Sequence, residues 1–416
     1  MLTDKQYWYL STISYLNIPK AYKNKFISGK TTLRQMARIW IEDILRNWVY
    51  SNVTHVYHPE YFSPSAGEVN FLSRDEFILI LLDIIDNPFS DELIFYKFIY
   101  NKGKGKSGIC FYDFLWKENT RVLAFRGSEA NSGNVLKEKD WQDNFYMALF
   151  DSNHYPDINK YLKEKIQYDC TIYVTGHSKG GNNALYACSI DKRICGRVFD
   201  APGFGLTITY EQISALKQRD IINYVCCDDW VGSVLIHPEK RIFCNGSYPI
   251  SGVLDMISGH MLQQFSFDNN DNIISSARSE HSIAVEKIYD NVMNTVIYDL
   301  PMSDMLNNLF DIIWPLYLEN NKKLNIIKNI TPAVFKKFIS QIIQSIVKKI
   351  MSHKNESSLQ ELVISLFKAW GKYAEQYESS GYTDKKLPDI GIPLSIRQQH
   401  ELLRRNKKQH KHIIYY

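Results

Sequence analysis

The sequence predicts an α/β protein with a mostly parallel sheet and helices on both faces. Short apolar segments rich in β-branched and aromatic residues alternate with helical segments between 108 and 246. A strand–turn–helix pattern, VTGHSKGGNNALYA at 174–187, lies in the middle of this region. Parallel neighbours need such helical connections, so the alternation indicates a sheet that is covered on both sides.

The individual elements follow from apolar periodicity and turn residues. In the first hundred residues the spacing predicts helices at 3–17, 31–50, 74–86 and 90–100. The predicted strands are 108–115, 121–127, 171–175, 197–203, 221–227 and 241–246. The predicted helices among them are 140–150, 157–167, 179–190 and 208–219. The chain is thereby divided into an N-terminal helical segment at 1–65, an α/β domain at 66–295 and a basic helical extension at 296–416.

The composition is that of an ordinary globular protein. Hydrophobic residues make up 45% and charged residues 23% of the chain, and the net charge is +4. We therefore expect no nucleic-acid partner. The positive charge belongs to the extension, where 18 Lys and Arg face 10 Asp and Glu from Pro301 onward. Its amphipathic helix at 332–350 suits peripheral membrane contact or packing within the chain, and a second striped helix after it favours packing.

The cysteines and the N-terminal sequence indicate the cellular compartment in which the protein is expected. The seven cysteines form no C-x-x-C pair and lie mostly in or beside apolar runs, which is typical of free thiols in a reducing compartment. No basic stretch followed by an apolar stretch opens the chain, and the most apolar run, at 77–85, is about half a membrane span. We expect a cytoplasmic protein, with export without a signal left open.

The segment around Ser178 has the pattern of a nucleophile on a sharp turn. G-x-S-x-G alone is weak, since it arises by chance in about one chain in ten of this length. Here a predicted strand precedes it and a predicted helix follows, as a nucleophile elbow requires. Gly176 and Gly180 have no Cβ, so the two backbones can cross closely beneath the serine. The alternative is a plain turn that contains a serine.

A serine hydroxyl needs a base, and the base needs an acid that orients it. In this type of sheet the order along the chain is serine, acid, histidine. The candidate acids, each placed after a later predicted strand, are Asp229, Asp228 and Asp200. His260 follows the last predicted strand and is the preferred base.

The remaining parts of the site are oxyanion donors and an acyl pocket. The backbone amides of Lys179 and Ser128 are the predicted donors, because one follows the serine and the other lies in the loop after an early strand. Apolar residues around His260 predict a pocket or lid for lipid-like esters: Val253, Leu254, Met256, Ile257 and Met261. This chemistry needs no metal and no organic cofactor.

Several stretches resemble a lipase-like branch of the α/β-hydrolases. They are AFRGS, DWQDNF, VTGHSKGGNNALYA, FDAPGFG and GHMLQQF, and the resemblance covers about 65–285. This branch is a bacterial domain of unknown function that is similar in layout to class 3, fungal-type lipases. The resemblance implies an α/β-hydrolase fold and a serine hydrolase that cleaves carboxylic esters.

The resemblance also favours one candidate for the acid of the triad and shows a departure near the predicted acyl pocket. Class 3 lipases carry their acid in N-D-x-V-P, and DDWVG places Asp229 at that position, with Asp228 before it. After its histidine the branch usually has an acidic residue and, at the fifth position, tryptophan, where this chain has Met261 and Phe265. This departure concerns the substrate pocket more than the triad.

Two other functions stay open from the sequence. A thioesterase or peptidase would use the same three residues, because the triad serves all acyl transfers. A non-catalytic α/β-hydrolase scaffold would instead bind a partner or an anionic surface through its basic extension.

Overall fold

The first part of the described chain consists of helices. The computed structural model describes residues 1–47, 74–101, 108–128, 143–144, 147, 151–167, 169–205, 207–227, 229–246, 258–279, 282–283, 286–287 and 290. Helices α1 (Asp4–Ile13), α2 (Leu33–Asn47), α3 (Arg74–Asp86) and the short α4 (Phe89–Glu92) precede the sheet. Thr3 begins α1 with a capping box, in which its hydroxyl accepts from the Gln6 amide and the Gln6 side chain accepts from the Thr3 amide.

Seven strands form one sheet whose order in space equals their order in the chain. They are β1 (Leu93–Tyr100), β2 (Cys110–Trp116), β3 (Thr120–Phe125), β4 (Thr171–His177), β5 (Ile194–Phe199), β6 (Ile221–Cys226) and β7 (Lys240–Cys244). The strands β1, β2 and β3 pair antiparallel, and every pair from β3 to β7 is parallel. The carboxyl ends of β3 to β7 therefore lie along one edge of the sheet.

Helices cover both faces of this sheet. Helices α5 (Tyr155–Lys165), α6 (Lys179–Ile190) and α7 (Tyr210–Gln218) connect the parallel strands and share one apolar cluster with one face. Helices α1, α2 and α3 share a second cluster with the opposite face, and α1 contacts β3, β4 and β5. The two clusters together make the sheet the buried middle layer, and the predicted α/β class, a mostly parallel sheet with helices on both faces, is confirmed.

The predicted boundary at 65/66 stays a prediction, but the N-terminal helices share a core with the sheet. The Ser11 hydroxyl lies 2.7 Å from that of Thr175 on β4, and the Trp8 indole donates to the Leu262 carbonyl at 2.8 Å. These helices share their core with one face of the sheet, so they belong to the structure that supports the site.

The predicted helix at 90–100 is wrong. Helical structure ends at Glu92, and LIFYKFIY forms β1, which pairs antiparallel with β2. Leu93 and Phe95 are buried while Ile94 and Tyr96 are not, which is the two-residue alternation of a half-buried strand. Aromatic and β-branched residues suit this position because they pack on β2.

Other predicted elements are matched within a few residues or are undescribed. Predicted helices at 74–86 and 179–190 have the bounds of α3 and α6. The helix at 140–150 lies mostly outside the described residues, and the extension at 296–416 lies wholly outside them. All seven cysteines are free thiols. Among the described residues, no helix has the length and apolar character needed to span a bilayer.

Candidate active site

Ser178 lies on a strained turn between β4 and α6. Its φ is 58° and its ψ is −132°, a conformation that non-glycine residues rarely adopt. The Ser178 amide donates to the Phe199 carbonyl at 3.0 Å, and its own carbonyl accepts from Asn182 at 3.1 Å. Ser178 is half-buried, whereas its neighbours His177 and Lys179 are buried. The turn therefore brings one hydroxyl toward solvent out of a packed core.

The glycines on either side of the serine permit this turn. A Cβ on Gly176 would overlap the backbone of Gly180, and a Cβ on Gly180 would overlap the carbonyl of Phe125. The backbones of β4, α6 and the end of β3 thus cross at contact distance below Ser178. A side chain at either position would collide with backbone atoms, so glycine is required at both.

His260 is hydrogen-bonded to Asp229 after the last strands of the sheet. The distance from Nδ1 of His260 to Oδ1 of Asp229 is 2.9 Å. The same carboxylate accepts backbone N–H groups from Val231 at 2.9 Å and Gly232 at 2.5 Å. Because these groups make the Asp229 oxygens acceptors, Nδ1 of His260 carries the proton. Nε2 is then the basic nitrogen, as a general base requires.

The other two candidate acids have different positions. Asp200 directly follows β5 and is fully buried, but its Oδ1 accepts from the Cys226 amide at 2.7 Å instead of from His260. Asp228 lies outside the described residues. Of the two described candidates, only Asp229 hydrogen-bonds the histidine.

The imidazole of His260 lies beside that of His177, the residue before the serine. The two ring centroids are 4.7 Å apart. Nε2 of His177 lies 2.8 Å from the carbonyl oxygen of His260, which can only accept, so Nε2 is the donor. Nδ1 of His177 must then accept from the Tyr15 hydroxyl, at 2.8 Å. Burial and the neighbouring His260 lower the pKa of His177, which keeps it neutral in this chain of contacts.

The hydrogen bond between nucleophile and base stays a prediction. Among the described residues, the Ser178 hydroxyl has no hydrogen-bond partner, and the His260 ring hydrogen-bonds only Asp229. Such a bond is often long in the absence of substrate and shortens when substrate binds. His177 connects the two residues, since it is adjacent to Ser178 in the chain and hydrogen-bonds the backbone of His260.

The predicted oxyanion donors lie on two segments that meet at the turn. A Cβ on Gly127 would lie 2.9 Å from the carbonyl oxygen of His177, so the loop after β3 passes the elbow. Ser128 follows in this loop, is buried, and has its Oγ 2.7 Å from Nδ2 of Asn144. The Arg126 side chain anchors the same loop by donating to the carbonyls of Ser14 and Leu16.

Lys179, the second predicted donor, has a buried side chain. Its ammonium forms an ion pair with Asp143, and both side chains are 1% exposed. Asp143 also accepts from the Ser152 hydroxyl at 2.7 Å and from the Asn153 amide at 2.9 Å. Burial opposes ionisation of Asp143, but the charge of the Lys179 ammonium lowers its pKa below the usual value. Asp143 therefore stays ionised and holds Lys179 at the start of α6.

His154 lies near the same ion pair but is neutral. Its Nδ1 lies 3.0 Å from the Asn183 side-chain amide. Burial, with the nearby charge of Lys179, lowers the pKa of His154 to about 3. A second cation next to the Lys179 ammonium is thereby avoided at neutral pH.

One side-chain cluster at the site has the composition of a metal centre. Nitrogen and oxygen atoms of His177, Asp200 and His260 lie within 4.8 Å of one another. However, both ring nitrogens of His177 and Nδ1 of His260 already make hydrogen bonds. The arrangement suits a hydrogen-bonded support for His260 better than a metal-ligand set.

The predicted acyl pocket is described only in part. Met261 is buried directly after His260. Val253, Leu254, Met256 and Ile257 lie outside the described residues. The pocket and lid therefore stay predictions.

Several polar residues at the site have no signal in the sequence. Tyr15 belongs to the N-terminal helical region, far from any motif. Asp143 and Asn144 lie in DWQDNF, a stretch that contributes to the family resemblance without indicating a role for either residue. The contacts of Asp143 with Lys179 and of Asn144 with Ser128 become visible only when the fold places this stretch beside the elbow.

A family model matches slightly less than half of the chain. The Mbeg1-like family model matches residues 108–311, which include the elbow, Asp229 and His260. No curated protein matches the sequence. Among solved structures, the crystal structure of M37 lipase is similar at 15% identity and a TM-score of 0.27, over 50% of this chain and 71% of that one. Over residues 108–311 the chain is therefore similar to the Mbeg1-like proteins, which confirms the resemblance to a lipase-like family of unknown function.

Proposed function

We propose that this chain is a serine hydrolase that cleaves carboxylic esters with lipid-like acyl groups. The observation that carries the proposal is the 2.9 Å hydrogen bond from His260 to Asp229, next to a half-buried serine on a strained turn. A nucleophile, a base in the correct tautomer and an orienting acid are the parts that acyl transfer needs.

The proposed reaction uses each group at a defined step. Nε2 of His260 takes the proton of Ser178 while Oγ attacks the ester carbonyl. The amides of Ser128 and Lys179 stabilise the oxyanion, which is the term that usually contributes most to the rate. His260 then gives the proton to the leaving alcohol, and a water activated by the same nitrogen releases the acyl group. Asp229 stabilises the imidazolium during both steps.

The lipid-like substrate rests on two weaker supports. One is the match to a lipase-like family, and the other is the apolar character of the residues around His260 in the sequence. Each methylene that enters an apolar pocket contributes about 0.8 kcal/mol to binding, which is about fourfold in kcat/KM. A peripheral membrane contact through the basic extension would bring the enzyme to such substrates.

A series of nitrophenyl esters from acetate to octanoate tests the proposal. We expect kcat/KM to rise with chain length in the full-length protein and turnover to vanish in Ser178→Ala. Ser214→Ala is the matched control, because Ser214 lies on α7 away from the elbow. Acetate cleaved far better than octanoate would refute the lipid part. Preferred turnover of thioesters or peptides would change the substrate class, and no turnover of any acyl compound would favour the scaffold.

A further inference from the structure

Asp200 is a buried carboxyl group next to the acid of the proposed triad. It is fully buried and has a φ of 46°, so the chain holds a non-glycine residue in a strained conformation directly after β5. A Cβ on Gly232 would lie 2.7 Å from Oδ2 of Asp229 and 3.2 Å from Cα of Asp200. The two aspartates therefore flank the same point of the backbone.

The two oxygens of Asp200 have different surroundings. Oδ1 accepts from the Cys226 amide at 2.7 Å, whereas no donor of the described chain reaches Oδ2, although it is buried. The carboxyl of Asp200 is within hydrogen-bonding reach of the Asp229 carboxyl. Two carboxyl oxygens form a hydrogen bond only when one of the two groups carries a proton.

The surroundings decide which group is protonated. The Asp229 oxygens already accept three hydrogen bonds, from two backbone N–H groups and from Nδ1 of His260. Asp200 has one backbone donor. Burial and the charge of Asp229 raise the pKa of Asp200 well above its usual range. Among the described residues, the other titratable groups around it include His177, His260, Cys227 and Cys244.

We propose that Asp200 is a positioning residue, which as a neutral carboxylic acid donates a hydrogen bond to Asp229 and so holds that carboxylate toward His260. The proposal builds on the proposed function, because its kinetic consequence requires His260 to act as the base. Asp200 does not touch substrate. The carboxyl of Asp200 donates to Asp229, which accepts from Nδ1 of His260. Asp200 keeps its own proton throughout the reaction.

The variants Asp200→Asn and Asp200→Ala distinguish the two possible roles of Asp200, as a neutral hydrogen-bond donor or as an ionised acid. An Asn side chain can accept from the Cys226 amide and donate to Asp229, as the protonated acid does. Asn also tolerates a positive φ. Alanine removes the donor and leaves more negative charge on Asp229, which stabilises the protonated imidazolium form of the base. The acid limb of the pH profile must then move to higher pH, because the base acts in its neutral form.

The kinetic test compares Asp200→Asn and Asp200→Ala on an ester that the wild type cleaves. We expect Asp200→Asn to keep kcat within about threefold, and Asp200→Ala to lose about tenfold in kcat, with KM little changed and the acid limb displaced upward. Asp157→Asn, at an exposed carboxylate, is the control and should match the wild type. An Asp200→Asn enzyme as impaired as Asp200→Ala would overturn the proposal, as would a folded Asp200→Ala enzyme with wild-type kcat and pH profile.

A spectroscopic test needs no activity and no alanine variant. A protonated carboxylic acid has an infrared C=O stretch that a carboxylate lacks. We expect the difference spectrum between wild type and Asp200→Asn at pH 7 to show this band, and the Asp157→Asn difference spectrum to lack it. A missing band refutes a neutral Asp200 even if esters are cleaved. A band in a protein without hydrolase activity supports the neutral acid and refutes only the proposed function.

Discussion

Replacement of Asp143 by asparagine would remove one carboxylate from the surroundings of the buried Lys179 ammonium. Both side chains are 1% exposed, so water cannot solvate the remaining charge. Removing one partner of a buried pair costs about 3–5 kcal/mol in the free energy of unfolding. Lys179 directly follows the proposed nucleophile, so we expect Asp143→Asn also to disturb the turn and slow reaction at Ser178.

A double-mutant cycle measures this effect. The free energy of unfolding in urea is compared for the wild type, Asp143→Asn, Lys179→Met and the double variant, with Asp157→Asn as an exposed control that should stay within about 0.5 kcal/mol of the wild type. We expect the double variant to be more stable than Asp143→Asn, because it no longer buries the Lys179 charge beside a neutral side chain. Additive losses, or a loss below about 1 kcal/mol for Asp143→Asn, would show that the ion pair does not govern this region.

Three further predictions concern the support of the site. Gly180→Ala should lower the free energy of unfolding by about 1–3 kcal/mol, since its Cβ overlaps the Phe125 carbonyl; an unchanged urea midpoint would contradict this close crossing. Tyr15→Phe should cost about 1 kcal/mol by removing the hydrogen bond to His177, and equal stability of the two proteins in urea would contradict that role. The lowered pKa of His154, about 3 against 6.5 unfolded, makes the unfolded state bind more protons between these values. Stability should therefore fall by up to about 1.4 kcal/mol per pH unit on acidification below pH 6.5, and His154→Gln should weaken this dependence in urea titrations at several pH values.

The parallel part of the sheet could be predicted from the sequence because its elements are locally encoded. Strands β4 to β7 are short apolar runs, and the glycines of the elbow are required by a close crossing of backbones within a few residues. The prediction of β1 as a helix failed because its aromatic residues fit either structure. The pairing with β2, a contact between segments, decided between them.

The residues of the site also fall into two groups, those that the sequence predicts and those that only the folded structure brings together. Chain order and spacing predicted His260 but left Asp229, Asp228 and Asp200 open, and the resemblance to the lipase motif favoured Asp229. The structure places Asp229 and His260 at hydrogen-bonding distance. The contacts of Tyr15 and Asp143 with the elbow join positions that the sequence gives no reason to combine. The environment of Asp200 depends on the folded arrangement of β5, β6 and the turn at Gly232, which no local pattern specifies.

Covalent labelling at Ser178 tests the central claim most directly. The full-length protein is treated with a fluorophosphonate, and the modified residue is identified by peptide mass spectrometry in the wild type, Ser178→Ala and His260→Ala. We expect one adduct, on Ser178, that is absent from Ser178→Ala and forms at least about 100-fold more slowly in His260→Ala. An unlabelled wild type, or equal labelling rates with and without His260, would contradict it.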